Sequence, residues 1–142
     1  MKEGIIIMAL INLDFSNLSA SSGVENHEPL EPGWYSATID SVVEKTSKSG
    51  NPMLQFVFLI ETDANGDYVS GIRRVYTYCM LTPDMLWKLQ NVLACLDVQT
   101  DSIVELDTDS LLGLAIGLKL VQSEYAGRMQ NDIKEFKNVS DI

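Results

Sequence analysis

Apolar and polar residues alternate from Trp34 to Glu44, a pattern typical of a β-strand with one buried face. The apolar positions are Tyr35, Ala37, Ile39 and Val43, and the polar positions are Ser36, Thr38 and Asp40. The polar segment Lys45–Pro52 then contains strong turn residues and predicts a loop. The nearly unbroken apolar run Met53–Ile60 predicts a second, well-buried strand.

Three further β-rich segments follow along the chain. The first is Tyr68–Cys79, which comes after Asn65-Gly66, a strong short signal for a hairpin. Gly71 within this segment predicts a bulge or a sharp bend. The other two are joined by the predicted tight turn Tyr125–Gly127: Leu114–Glu124 and Arg128–Asn138.

Helical spacing replaces alternation after the third β-rich segment. Thr82-Pro83-Asp84 predicts a helix start, with Thr82 as N-cap and proline at the first helical position. The apolar stripe that follows comprises Met85, Leu86, Leu89, Val92, Leu93 and Leu96. An acidic connector over residues 97–109 leads to a predicted short helical turn at Ser110–Leu112, capped by Asp107 or Asp109.

The predicted element order is therefore β-β-β-α-β-β. Five strands with a helix between the third and fourth are the element order of the OB-fold, a small Greek-key barrel. We therefore expect a mainly β, five-stranded, OB-fold-like barrel over residues 33–138, with an open α+β sheet as the alternative. Residues 1–32 are rich in linker-type residues and predict an N-terminal appendage, with a short extra strand as an open alternative; residues 139–142 predict a short tail.

Composition argues against several classes of protein. Cys79 and Cys95 are too few for a disulfide scaffold or a four-ligand zinc site, and the single histidine, His27, cannot form a two-histidine zinc motif. The longest apolar run, Ile5–Ile11, is much shorter than a membrane-spanning helix. We expect no catalytic residue, no metal site, no cofactor and no membrane contact.

Acidic residues are concentrated in two parts of the chain. The net charge is -10, but nine of the ten Lys and Arg residues fall within residues 33–138. The acidic excess lies mainly in residues 1–32 and in the connector 97–109. The total charge argues against a protein whose whole surface binds nucleic acid. Without the connector, the predicted barrel (residues 33–96 and 110–138) is nearly neutral, and its few cations are available for a local site.

Cations and aromatic side chains fall where an OB-fold binds its ligand. That groove is formed by the face of strands 2 and 3 and by the loops joining strands 1 to 2 and 4 to 5. The candidate nucleic-acid-binding residues in these places are Lys45, Lys48, Phe56, Arg73, Arg74, Tyr76, Tyr78, Arg128 and Lys134. Proteins bind single strands with little sequence preference when their cations lie along the phosphates and their aromatic rings stack on the bases. Strand aromatics also pack in cores, so at least half of the rings on strands 2 and 3 are expected to face inward.

Several short motifs resemble those of bacteriophage single-stranded-DNA-binding proteins of the OB-fold type, most of all a phage family long catalogued as being of unknown function. The motifs are Met8–Asn17, Pro32–Tyr35, Glu44–Leu54, Leu112-Gly113, Glu124–Arg128 and Asn131. The resemblance spans Met8–Phe136. It implies a non-enzymatic role in phage DNA replication or recombination in the cytoplasm of the bacterial host, with Lys45 and Lys48 as the most transferable positions. It also implies phage or host replication and recombination proteins as partners.

Two hypotheses of different class follow from these observations. The first is sequence-tolerant binding of single-stranded DNA in the barrel groove. The second is a non-catalytic protein-interaction or oligomerisation module, which the apolar density of residues 53–60 and 111–121 favours, and a homo-oligomer is expected. An enzyme that holds a divalent cation at Asp107 and Asp109 is a third alternative, with no Gly-rich phosphate loop or nucleophile elbow to support it.

Overall fold

A computed structural model describes residues 28–98 and 106–142. Its strands are β1 (Gly33–Thr46), β2 (Pro52–Asp63), β3 (Arg74–Met80), β4 (Ala115–Tyr125) and β5 (Arg128–Lys137). Helix α1 (Leu86–Cys95) lies between β3 and β4, and short 3-10 turns occur at Pro83–Met85, Thr108–Leu111 and Val139–Asp141. The predicted mainly β composition and the predicted element order are confirmed.

The five strands form one open antiparallel sheet in the order β3-β2-β1-β4-β5. Strands β3 and β5 are its two edges, and between the described residues they form no ladder with each other. Their Cα atoms nevertheless approach within 8 Å, and α1 contacts both strands. The sheet is therefore curved enough to bring its two edges near each other beside the helix.

The core is enclosed by the inward face of the sheet and by α1. Phe56 and Phe58 on β2 have no exposed surface, and their rings stack with centroids 5.9 Å apart. Phe136 of β5 packs against Phe58 with a centroid distance of 6.1 Å. The helix contributes Leu89, Val92 and Leu93, and the sheet contributes Tyr35, Ala37, Ile39, Leu54, Ile60, Val75, Cys79, Ile116, Leu118 and Leu120. Burial of this contiguous apolar surface is the main favourable contribution to folding.

A bulge in β1 changes which of its side chains face the core. Tyr35, Ala37 and Ile39 are buried as predicted, but the register with β2 shifts between Ile39 and Ser41. One extra residue reverses the two-residue alternation, because successive side chains point to opposite faces. The prediction that Val43 faces the core is wrong: Val43 is 44% exposed, and Val42 packs against the core instead.

The third strand is shorter than predicted. It begins at Arg74, whereas the β-rich segment of the sequence predicted a start at Tyr68, and Tyr68 makes only an isolated bridge to Thr62. Gly71 has φ 77°, a left-handed backbone conformation that glycine adopts without steric cost. The predicted bend at Gly71 is confirmed, and the bend explains the later start because the chain is not extended there.

The helix boundaries also differ in detail from the prediction. Pro83, predicted as the first residue of the helix, instead opens a 3-10 turn that precedes α1, and Thr82 makes no side-chain capping hydrogen bond. Of the two predicted caps for the later helical turn, Asp107 is the one used, since its carboxylate accepts from the backbone N–H of Asp109 at 3.1 Å. Residues 99–105 of the acidic connector lie outside the described residues, as do residues 1–27 with their predicted extra strand.

The two cysteines are free thiols in different environments. Cys79 has no exposed surface, whereas Cys95 is half-buried. Burial raises the pKa of the Cys79 thiol from its ordinary 9.0 to about 11, and the nearby Lys88 opposes this shift. Cys79 therefore stays a neutral, apolar side chain of the core over the whole range of ordinary pH.

The buried thiol makes stability depend on pH in the alkaline range. Between pH 9 and about 11 the unfolded state loses the Cys79 proton while the folded state keeps it, so the free energy of unfolding falls as pH rises. The loss amounts to about 2–3 kcal/mol at about 1.4 kcal/mol per pKa unit, and this thiol has no effect below pH 9. Urea unfolding of the wild type and Cys79→Ala at pH 8 and pH 11 tests this, because other groups titrate equally in both proteins. The stability difference between the two proteins is expected to shrink at pH 11, and a constant difference would contradict the expectation.

Candidate functional site

An open groove of about 1230 Å³ lies between the edge strands β3 and β5. We call it the edge groove. Its lining comprises Glu28–Leu30, Gln55, Arg73–Tyr78, Lys88, Tyr125, Ala126 and Arg128–Ile133. The groove exists because the two edges approach each other without pairing.

Alternation along β3 places two tyrosine rings on the outer side of the sheet. Val75 and Thr77 are buried, whereas Tyr76 and Tyr78 are 53% and 45% exposed. Because side chains two residues apart share one face of a strand, the two rings are side by side at a spacing of about 7 Å. The structure thus brings together two flat, exposed surfaces on one wall of the edge groove.

Two hydrogen bonds hold Tyr78 in place. The Nε2 atom of Gln55, on the neighbouring strand β2, donates to the Tyr78 hydroxyl at 3.3 Å. The Nζ atom of Lys88 on α1 donates to the backbone oxygen of Tyr78 at 2.9 Å. Lys88 was not among the predicted site residues, because helical spacing alone does not show that its side chain reaches β3.

The two adjacent arginines line the edge groove and are held differently. Arg74, the first residue of β3, forms an ion pair with Asp40, with Nε 3.2 Å from Oδ2. Arg73 precedes the strand, and its guanidinium donates to two backbone oxygens: that of Ser70 at 3.1 Å and that of Glu28 at 2.6 Å. Since both groups in the Arg74 pair are partly exposed, the pair adds little to stability.

A two-residue hairpin turn brings a third tyrosine and a third arginine to the opposite wall. Ala126 and Gly127 both have positive φ, 53° and 80°, which is the backbone of a type I′ turn. This turn sets Tyr125 directly opposite Arg128 in the β4–β5 ladder, and both residues line the edge groove. Tyr125 is 71% exposed. Sequence reasoning used Arg128 and the turn but missed Tyr125, whose position beside the turn was the available signal.

An N-terminal segment forms the end of the edge groove. We call residues 28–31 the strap. Asn131 of β5 accepts from the Leu30 N–H at 2.7 Å and donates to the Leu30 oxygen at 2.9 Å, and Gln122 donates to the same oxygen at 3.0 Å. The other end of the strap is held by Arg73. The strap therefore connects β5 to Arg73, the residue immediately before β3, and among the described residues the two edge strands do not hydrogen-bond to each other.

The edge groove carries more basic than acidic side chains. Its lining includes four cations, Arg73, Arg74, Lys88 and Arg128, and two carboxylates, Glu28 and Asp132. This local excess contrasts with the net charge of -10 for the whole chain. A groove with this lining favours anionic groups locally even though the molecule is acidic.

Four of the predicted site residues do not line the edge groove. Lys45 is exposed near the end of β1, two residues beyond the outward-facing Val43, and Lys48 is exposed in the loop that follows. Lys134 is exposed on β5 at the shift in its register with β4. The prediction for Phe56 is corrected: with no exposed surface and a ring stacked on another core ring, it has no face to offer a base.

Within the described part of the chain, no group of three His, Cys, Asp or Glu side chains is placed to hold a metal ion. The Asp107 carboxylate, considered above as a cation ligand, instead caps the backbone of Asp109. The described helix is also neither long nor apolar enough to cross a membrane.

Comparison with known proteins gives one family. The family described as "Protein of unknown function (DUF669)" matches residues 17–140. That range includes all five strands, the helix and every residue that lines the edge groove. No curated protein matches the chain.

Proposed function

The chain belongs to the DUF669 family, whose function is described as unknown, and we propose that this member binds single-stranded DNA with little sequence preference. The observation that carries the proposal is the pair of exposed rings, Tyr76 and Tyr78, on the wall of a groove with an excess of cations. We propose further that it acts in phage DNA replication or recombination, in the host cytoplasm, as the motif resemblance implies.

The chemistry of the edge groove suits an unpaired strand. Every base offers a flat face to an aromatic ring, so stacking on Tyr76 and Tyr78 requires no particular sequence. Arg128 and Tyr125 on the opposite wall supply a further cation and a further ring. A base pair already stacked within a duplex exposes only its edges, so this lining favours single over double strands.

The strand register suggests how a bound strand continues beyond the edge groove. On the outer face, Tyr78 of β3 is paired with Gln55 of β2, and Gln55 is paired on its other side with Val43 of β1. Lys45 lies in the next row of this face, level with Met53. A strand that leaves Tyr78 across Gln55 is directed towards Lys45 and then Lys48, and both lysines belong to the proposed phosphate-binding set.

The strand order supports a finer proposal about the fold. In the order β3-β2-β1-β4-β5, pairing of the two edges would close a five-stranded Greek-key barrel, with the helix between its third and fourth strands. We propose that the chain is OB-fold-like in this sense. The approach of β3 to β5 and the contact of α1 with both are the features that support it.

Fluorescence anisotropy with a labelled 30-nucleotide oligo-dT tests the proposed function. We expect binding at low salt, with an affinity that falls steeply as salt rises, because each phosphate contact releases counterions. A duplex of the same length is the control and is expected to bind more weakly. Absence of measurable binding to oligo-dT at low salt would contradict the proposal.

Charge reversal at Lys45 and Lys48 is expected to weaken this binding without unfolding the protein, since both side chains are exposed. If both lysines contact phosphates, Lys45→Glu with Lys48→Glu lowers the slope of log affinity against log salt by at least about 1.4. The matched control is Lys119→Glu with Lys137→Glu, which changes the net charge by the same amount. These two lysines lie on strands β4 and β5, outside the edge groove. Equal losses in the two double variants would show a general charge effect and contradict contacts at Lys45 and Lys48.

An exposed apolar cluster favours a second candidate function, a protein-interaction or oligomerisation module. Met85, the last residue of the 3-10 turn, and Leu86 and Trp87, the first two residues of α1, are 36%, 42% and 61% exposed. Consecutive exposed apolar side chains of this size are a common feature of protein contacts. If Trp87→Ala changes the sedimentation of the protein while oligo-dT fails to bind, this second function replaces the first.

A further inference from the structure

Arg73 is a cation of the edge groove that is held in place without a carboxylate. The residue is half-buried, and its guanidinium donates from Nε to the Ser70 oxygen and from Nη1 to the Glu28 oxygen. A guanidinium has five N–H groups. Within residues 28–98 and 106–142, no atom accepts a hydrogen bond from the other N–H groups of Arg73. Because Arg73 lines the edge groove, these donors are available to an anion there.

The other two arginines of the edge groove are in different situations. Arg74 is paired with the carboxylate of Asp40. Arg128 is exposed beside the hairpin turn, and its side chain forms no hydrogen bond or ion pair with the described residues. A long side chain that is already held in one orientation loses less conformational entropy when it binds a ligand. Arg73 is therefore the arginine of this groove that is best prepared to contact a phosphate.

The strap supplies one of the two oxygens that hold Arg73. The Glu28 oxygen belongs to the residue before Pro29, and Leu30 follows directly. The proline ring fixes its own φ and restricts the backbone of the preceding residue to extended conformations. The direction of the Glu28 oxygen is therefore largely fixed once Leu30 is held.

The side chain of Asn131 on β5 holds Leu30 through two hydrogen bonds. It accepts from the Leu30 N–H and donates to the Leu30 oxygen. The same Nδ2 atom also donates to the Val121 oxygen of β4 at 3.1 Å, which fixes the amide itself. Gln122 bonds to the Leu30 oxygen only. A continuous path of hydrogen bonds and one stiff dipeptide thus leads from Asn131 on β5 to the guanidinium of Arg73, beside β3.

We propose that Asn131 is a positioning residue: through the strap it fixes the guanidinium of Arg73, so that the remaining donors bind a phosphate of a single strand. The phosphate contact rests on the proposed function, whereas the positioning of Arg73 does not. The coupling is reciprocal, since a docked strap that strengthens DNA binding is itself stabilised by bound DNA by the same factor.

Side-chain NMR of the full chain without DNA tests the positioning. The guanidinium protons of Arg73 are expected to exchange with water at least about 10-fold more slowly than those of Arg128, as hydrogen-bonded protons do. Asn131→Ala is expected to remove most of this difference, because Leu30 loses both bonds to Asn131. Asn138→Ala is the matched control, since this amide contacts Asp97 outside the edge groove, and it is expected to keep the difference. Unchanged Arg73 exchange in Asn131→Ala would overturn the proposal.

A double-variant cycle with the 30-nucleotide oligo-dT tests the phosphate contact. Arg73→Ala is expected to lower the affinity at least about 10-fold and the slope of log affinity against log salt by about 0.7, as the loss of one charged contact does. Asn131→Ala is expected to lower the affinity at least about fivefold in the wild type. In the Arg73→Ala background its effect is expected to be less than about twofold, because Asn131 acts through Arg73. Equal effects of Asn131→Ala in the two backgrounds would overturn the proposal.

Pro29→Gly keeps the test decisive if Asn131→Ala does not fold. It leaves the side chain of Asn131 in place and loosens only the link between Leu30 and Glu28, which lie outside the strands. We expect faster Arg73 exchange and weaker binding of oligo-dT, the latter only where Arg73 is present. Slow Arg73 exchange that is lost in both variants, in a chain that binds no oligo-dT, would support the positioning and contradict the proposed function.

Discussion

Replacing Tyr76 and Tyr78 together by alanine is expected to lower the affinity for a 30-nucleotide oligo-dT by at least about 25-fold. Each stack of a base on a ring contributes about 1–3 kcal/mol, so each single substitution costs about 5- to 140-fold in affinity. Both side chains are about half exposed and face the edge groove, so their loss leaves the core unchanged. Anisotropy titrations of the two single variants and the double variant measure the effect.

Tyr68 provides the matched control for this experiment. It is 83% exposed but does not line the edge groove, so Tyr68→Ala is expected to bind oligo-dT as the wild type does. Tyr76→Phe and Tyr78→Phe keep the flat ring and should retain most of the affinity, since stacking does not use the hydroxyl. If the double alanine variant binds within about twofold of the wild type, a small change on the scale of one stack, the tyrosines do not carry the binding.

Phe56→Ala is expected to reduce the free energy of unfolding by about 3–5 kcal/mol, the usual cost of removing a buried phenylalanine ring. The ring has no exposed surface and stacks on Phe58, so its removal loses apolar burial and leaves a cavity that β2 and its neighbours cannot fill. This is a large fraction of the stability of a domain of this size. Urea unfolding followed by tryptophan fluorescence measures the loss.

The same variant separates a core role for Phe56 from the predicted stacking role. At low temperature, where the variant is still folded, its affinity for oligo-dT is expected to match that of the wild type. Val43→Ala, an exposed position on the neighbouring strand, is the stability control and should change the unfolding free energy by less than about 0.5 kcal/mol. Normal stability together with weakened DNA binding in Phe56→Ala would contradict the core assignment.

The local pattern of the sequence was sufficient to predict the elements of this fold. Alternation located β1 to within a few residues, the β-rich segments on either side of the Tyr125–Gly127 turn located β4 and β5, and helical spacing after Thr82 located α1. The bend at Gly71 followed from glycine's conformational freedom. These features depend on neighbours close in sequence, and their periods of about 2 and 3.6 residues are visible in one chain.

Tertiary structure decided which face of each element is buried and which elements lie next to it. The run Met53–Ile60 is apolar at nearly every position, so its period does not show that Phe56 faces the core; pairing with both β1 and β3 determines this. The extra residue at Asp40 turns Val43 outward, because the bulge exists only relative to the partner strand.

The candidate site depends on sheet order in the same way. Tyr76 and Arg128 are 52 residues apart in the chain, and they line the same groove only because β3 and β5 are the two edges of one curved sheet. The sequence alone determined that residue types suited to binding a single strand are present, because composition and alternation are local properties. The tertiary structure alone determined that Lys88 and Tyr125 join them while Phe56 does not, because strand pairing and helix packing are contacts between distant parts of the chain.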